Sequence, residues 1–136
     1  AHPFNMSWQA YVDTSLVGTG HIDKAAIVSI AGDSVWATSA GFTVSPTEMK
    51  AIADVVTAKP GAADKAFGDG LYVAGERYVM ARAEDGTIYA RKGREGIAIA
   101  KTNQAILIGH HGEAAVAGNA SAAVQKLADY LIGLSY

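Results

Sequence analysis

The residues able to do chemistry are few and poorly grouped. His110 and His111 are neighbours in a strand-like stretch. Successive side chains of a strand point to opposite faces, so this pair does not chelate one metal from a common surface. A surface or strand-end role is expected for both. His21 stands in a glycine-rich loop with Asp23 two residues on, but no serine in an elbow motif accompanies them. Gly68-Asp69-Gly70 belongs to neither a G-x-G-x-x-G turn nor a Walker A loop and reads as an ordinary turn. The chain has no cysteine, which excludes a thiolate metal site, a cysteine nucleophile, dithiol redox chemistry and a disulfide scaffold. No catalytic residue, metal or cofactor is therefore expected.

The aromatic residues carry more information. Trp8 and Tyr11 lie one helical turn apart, and Trp36 sits in a strand-like run. Tyr130 falls about 120° from the axis of a Val124/Leu127/Leu131 stripe at about 100° per residue, so it should be partly exposed. Tyr136 follows Gly133, beyond that stripe. Tyr and Trp rings with polar edges line grooves that take a polyproline helix, because the rings stack on proline faces while their O–H and N–H groups donate to its carbonyls. Core packing of Trp8, Tyr11 and Trp36 remains open at this level, as does another kind of aromatic surface.

Charge is uneven. From Arg77 to Lys101 there are six cations and three anions, so that window is +3 and the remainder −5 for a net charge of −2. A net-acidic chain with one compact basic stretch is a poor general nucleic-acid binder but suits a local anionic or acidic-protein partner.

The elements that must position these residues follow from periodicity and turn chemistry. Trp8, Tyr11 and Val12 mark a short helix from Ser7 to about Leu16. Ala25 to Ile30 and Val35 to Thr38 form a hairpin around Gly32-Asp33. Ser45-Pro46-Thr47-Glu48 is a capping box with proline at the first helical position, and Met49, Ile52, Ala53 and Val56 continue a helix that Lys59-Pro60-Gly61 stops. Strand-like runs follow at Leu71 to Val73 with Arg77 to Ala83, Thr87 to Lys92, Gly96 to Lys101 and Ala105 to His110. Asn119 is expected to cap a last helix whose buried stripe is Val124, Leu127, Ala128, Leu131 and Ile132. This order is α+β with a mostly antiparallel sheet and lacks the alternation of a doubly wound nucleotide fold.

With 136 residues, half of them hydrophobic, the chain is expected to fold as one domain. Its longest charge-free run, residues 34–47, is 14 residues with polar groups throughout, against about 20 apolar residues for a membrane span. No secretory signal is evident, and Ala1 to Asn5 read as a cloning remnant or disordered extension ahead of a Met6-Ser7 start. A soluble protein of the reducing cytosol is expected.

Met6-Ser7-Trp8-Gln9-Ala10-Tyr11-Val12-Asp13 resembles the opening of the profilins, small actin-monomer-binding proteins. The likeness continues through Ala26-Ile27-Val28, Ser34-Val35-Trp36-Ala37, Gly75-Glu76-Arg77-Tyr78, Lys101-Thr102-Asn103-Gln104-Ala105 and Leu127-Ala128-Asp129-Tyr130-Leu131, in order over residues 6–136. The resemblance implies a central antiparallel sheet with the N- and C-terminal helices on one face and the other helices on the opposite face. It implies a poly-L-proline site at Trp8, Tyr11, Trp36, Tyr130 and Tyr136, between the terminal helices. On a separate, opposite face made by the late strands and the start of the last helix, it implies actin contacts at or near Arg77, Val79, Arg82, Arg91, Lys92, Gly118 and Lys126. Phosphoinositide binding is also implied, with Arg77, Arg82, Arg91, Lys92 and Arg94 as its candidates. Tyr130 stands where many animal members have His, Lys126 where they have an acidic residue, and Ser121-Ala122 where they have Asn-Lys. Expected partners are monomeric actin, proline-rich proteins such as formins, and phosphoinositide headgroups, with nucleotide exchange on actin promoted and no covalent step. The alternative is a profilin-like sensor or dimerisation scaffold without actin binding, which has no need of aromatics at both ends of the chain.

Overall fold

The computed structural model describes residues 7–136, so the extension assigned to residues 1–5 lies outside the described residues. The helices are α1 (Trp8–Ala10), α2 (Pro46–Val56), α3 (Ala62–Asp69) and α4 (Ala117–Gly133). The strands are β1 (Lys24–Ser29), β2 (Val35–Thr38), β3 (Leu71–Val73), β4 (Glu76–Glu84), β5 (Thr87–Lys92), β6 (Glu95–Lys101) and β7 (Ala105–His111). They form one antiparallel sheet in the order β2-β1-β7-β6-β5-β4-β3.

Alternation along the central strands builds two cores. Ile97, Ile99, Ile106 and Ile108 project to the face covered by Met49, Ile52 and Val56 of α2 and Ala66 of α3. Ala98, Ala100, Ala105 and Leu107 project to the other face, against Tyr11, Val12 and Leu16 and against Val124, Leu127 and Leu131 of α4. Small residues on that second face let α4 approach closely. A Cβ on Gly109 would lie 2.9 Å from both Ile22 and Val124. The terminal helices therefore share one face and α2 and α3 the other.

Local chemistry explains the element ends. Ser45 Oγ accepts from the Glu48 amide at 3.2 Å while the Ser45 amide donates to Glu48 Oε1 at 2.8 Å, the reciprocal box expected from sequence. Beyond Ala10 the N-terminal helix widens into a π-helical stretch, Tyr11–Leu16, in which the Val17 amide bonds to the Val12 carbonyl five residues back. The wider turn buries Leu16 together with Tyr11 and Val12.

Three sequence expectations need correction. Asn119 is not the cap of α4. The cap lies three residues earlier, at extended Val116, which carries no side-chain acceptor and whose carbonyl accepts the Asn119 and Ala120 amides. Ile132 is not in the buried stripe, because the 100° step carries it off the apolar axis, and it is 42% exposed. His110 and His111 end their strand but are buried rather than at the surface.

Candidate binding surfaces

The terminal-helix side gathers the five predicted aromatics. Trp8 is central, with ring centroids 4.9 Å from Trp36, 5.7 Å from Tyr11 and 5.5 Å from Tyr136, the last nearly edge-on at 85°. Tyr130 meets Tyr11 at 6.4 Å. Tyr11 is fully buried and floors the cluster, Trp8, Trp36 and Tyr136 are partly exposed, and Tyr130 is 48% exposed. Burial first, then the phenols of Tyr130 and Tyr136 and the hydrogen bond with Tyr130, raise the Tyr11 hydroxyl above its ordinary value. It stays protonated and polar beside that bond.

Trp36 reaches this face because of a bulge. Ile27 pairs with Ala37 and Val28 with Val35, leaving Trp36 as the extra residue. The bulge re-aims its ring so that it packs on the same core as its neighbour Ala37. Two polar links brace the arrangement: the Ser7 hydroxyl accepts the Ala10 amide at 3.0 Å, and Gln9 Nε2 donates to the Thr38 carbonyl at 3.0 Å.

The second surface stands apart from the aromatics, but on the same side of the sheet rather than the opposite one, in the part that α4 leaves open. Tyr72 pairs with Arg77, and Val79 pairs with Arg91. Tyr78 and Met80 are buried on the α2 side, so Arg77 and Val79 face away from it. Strict alternation would then turn Arg82 inward. A second bulge prevents this: Met80 pairs with Ala90 but Arg82 with Tyr89, so Ala81 is the extra residue and Arg82 joins Arg77, Val79 and Arg91. The face is flanked by a groove between β4 and β5 on one side and Ser121, Ala122 and Gln125 of α4 on the other.

Arg77 is held by its support. Its Nε donates to the Asp69 carbonyl at 2.9 Å, and a Cβ on Gly70, whose φ is +93°, would lie 2.6 Å from that same atom. Glu48 completes the frame by accepting the Ala74 and Gly75 amides at 3.0 and 2.9 Å, which ties the β3–β4 turn to α2.

Other predicted basic residues are not brought to this face. Lys92 follows Arg91 on β5 and so turns to the opposite side, where it pairs with Glu76. That hydrogen bond, ahead of the charge attraction, lowers the Glu76 carboxyl and raises the Lys92 amine. Arg94 is exposed in the β5–β6 turn. Gly118 is exposed in the first turn of α4, and exposed Lys126 lies one turn after Ala122 and one turn before Tyr130, between the groove side and the aromatic side of that helix.

Sequence reasoning missed what His110 and His111 do. His110 Nδ1 lies 2.5 Å from Asp23 and Nε2 lies 3.0 Å from Glu95, so the two carboxylates take different ring nitrogens and do not converge on one point. The ring ties the ends of β1, β6 and β7 together. His111 Nδ1 donates to the Gly112 carbonyl at 3.0 Å, which leaves Nε2 to accept the Tyr89 hydroxyl at 2.7 Å. Tyr89, its hydroxyl raised mainly by burial, is stacked on His111 under the open sheet face.

Comparison with known sequences and structures agrees with this architecture. The profilin family matches residues 6–136. Schizosaccharomyces pombe profilin is 50% identical over 131 residues, covering 96% of this chain and all of that protein. Profilin-2 of Acanthamoeba castellanii is 48% identical over the same shares. The solved S. pombe profilin superposes with a TM-score of 0.89 at 49% identity, over 96% of this chain and 100% of that one. Mouse profilin IIa, solved in complex with a double repeat from the FH1 domain of mDia1, shares the fold at a TM-score of 0.78 and 22% identity, over 96% of this chain and 100% of that one. The chain belongs to the profilin family, the actin-monomer and proline-segment adaptors of the cytoskeleton. Among the described residues, no helix is long and apolar enough to cross a membrane.

Proposed function

We propose that residues 6–136 act as a single-domain cytoskeletal adaptor, with proline-rich segments held against the terminal-helix aromatics and monomeric actin held on the open sheet face. The observation that carries the reading is the cluster around Trp8, in which the rings of Tyr11, Trp36 and Tyr136 meet Trp8, Tyr130 meets Tyr11, and all but Tyr11 keep a solvent-facing edge. Stacked rings with polar edges fit a polyproline helix, whose rigid backbone exposes carbonyls between proline faces. The FH1 repeat held by mouse profilin IIa supports the same ligand class here, with formins as partners.

Arg77, Val79, Arg82, Arg91 and Gly118 form the actin contact, an apolar centre ringed by cations, with Lys126 at its margin and Lys92 turned to the other sheet face. Arg77, Arg82, Arg91 and Arg94 also offer a phosphoinositide headgroup exposed guanidinium groups, while Lys92 is engaged by Glu76. The protein works by binding alone, in the cytoplasm, and its effect on actin nucleotide exchange is exerted on the actin cleft.

A titration of tryptophan fluorescence with poly-L-proline tests the proposal. A saturating change that leaves actin-monomer binding intact is expected. An unresponsive spectrum, with no retention on a poly-L-proline column, would overturn it.

A further inference from the structure

The position of Tyr136 is set by a device that lies outside the aromatic cluster. At the end of α4 the Ser135 amide donates to the Ile132 carbonyl and the Tyr136 amide to the Leu131 carbonyl, both at 2.9 Å, with Ser135 in the left-handed region at φ 69°. This is the Schellman closure of a helix, in which the left-handed residue turns the chain back on itself. It brings the Tyr136 backbone oxygen to the β6–β7 turn. There it accepts the Gln104 amide at 2.6 Å and the Thr102 hydroxyl at 2.9 Å.

Thr102 is only 2% exposed, so its hydroxyl depends on protein partners. Its lone pairs accept the Ala105 amide at 3.0 Å and the Gln104 amide at 3.3 Å. The Ala105 carbonyl already holds the Thr102 amide at 2.7 Å and is a distant 3.4 Å from the hydroxyl. The single hydroxyl proton therefore goes to Tyr136. We propose that Thr102 is a positioning residue of the aromatic surface, which fixes the Tyr136 backbone so that its ring stands edge-on against Trp8. The inference rests on the proline-binding reading given above and adds to it a residue that touches no ligand.

Its test compares Thr102→Val, Thr102→Ser and Tyr136→Ala, alone and with Thr102→Val added to Tyr136→Ala. Poly-L-proline affinity, near-ultraviolet circular dichroism of the free protein and actin-monomer binding are measured. Thr102→Val should weaken poly-L-proline binding by about tenfold, part of the loss of a whole aromatic anchor, and alter the aromatic dichroism while actin binding holds. Thr102→Ser should restore both readouts, and Thr102→Val should add nothing once Tyr136 is already alanine. Parental affinity in a folded Thr102→Val protein would overturn the positioning role, as would an equal loss with or without the Tyr136 ring. Should Thr102→Val not fold, Ser135→Val provides the same readouts: a β-branched residue is strained at that φ, and because Ser135 is exposed, the loss of Tyr136 placement is expected without damage to the core. Parental binding by Ser135→Val would likewise count against the role. A parent that fails to bind poly-L-proline would instead overturn the proline-binding reading itself.

Discussion

Replacing Trp8 with alanine should separate the two surfaces. The indole contacts the rings of Trp36, Tyr11 and Tyr136 at centroid distances of 4.9, 5.7 and 5.5 Å. Each aromatic pair contributes about 0.5–1.5 kcal/mol beyond area burial, and Trp8 is only partly buried, so a folding loss of about 2–3 kcal/mol is expected. Single domains have about 5–15 kcal/mol of stability, so the variant should remain folded at room temperature. Losing a central anchor should cost proline binding about 2 kcal/mol or more, roughly thirtyfold in affinity. The chain has two tryptophans, so Trp36 remains as the fluorescent reporter. Denaturant unfolding gives the first quantity, a poly-L-proline titration the second, and actin-monomer binding should change little because the open sheet face is untouched. A variant that loses stability as expected yet binds poly-L-proline within threefold of the parent would refute the reasoning. Trp8 would then be a brace between α1 and β2 and not an anchor.

Arg91→Glu should slow actin association most at low ionic strength, whereas Lys92→Glu, on the opposite sheet face in a pair with Glu76, should do so far less; equal effects in stopped-flow measurements across salt would contradict the face assignment. Gly109→Ala forces a methyl to 2.9 Å from Ile22 and Val124. Such overpacking costs about 1–3 kcal/mol and should lower the melting temperature by several degrees in calorimetry; an unchanged value would mean that α4 can shift freely. The Tyr78 hydroxyl, nearly buried, is pushed up to about 12 by burial and then by Glu95, Glu76 and Asp23. Because the folded value lies above the unfolded one, the stability it contributes is complete below the ordinary tyrosine value of 10.0 and is lost as pH rises through about 12. Ultraviolet titration should show a late-ionising phenol that disappears in Tyr78→Phe, and its persistence there would assign it to another tyrosine.

What was legible in the sequence was whatever is set by neighbours along the chain. The Ser45–Glu48 box spans four residues and needs no tertiary partner, so the start of α2 followed from it directly. The strands announced themselves as short apolar, partly β-branched runs bounded by turn residues, and the exposure of Tyr130 followed from the 100° step of α4. Helix α3 did not appear because Ala66 is its only fully buried residue and Phe67 is left exposed, so no apolar stripe marks it. Asn119 misled for the opposite reason. It has the chemistry of a cap, but the packing of Ala120 and Val124 on the sheet draws the helix start upstream of it. The carboxylates around His110 were invisible because Asp23 lies 87 residues away and meets it only through the β1–β7 pairing.

The residues that give each surface its character are also those for which period-two counting fails. In β4, alternation from Tyr78 and Met80 assigns Arg82 to the apolar core, an untenable place for a guanidinium. In β2, alternation from buried Ala37 assigns Trp36 away from the terminal helices. One extra residue in each strand, Ala81 and Trp36 itself, reverses the assignment. The core needs regular alternation, because a slipped register would turn Ile97, Ile99, Ile106 and Ile108 out of their layer. Both irregularities accordingly lie away from the central β6–β7 pair, where registers run unbroken from Gly96 to Lys101. Bulges near the sheet margins redirect a guanidinium and an indole without disturbing the layers between them. One face of one sheet can thus carry a basic surface beyond α4 and an aromatic surface beside α1.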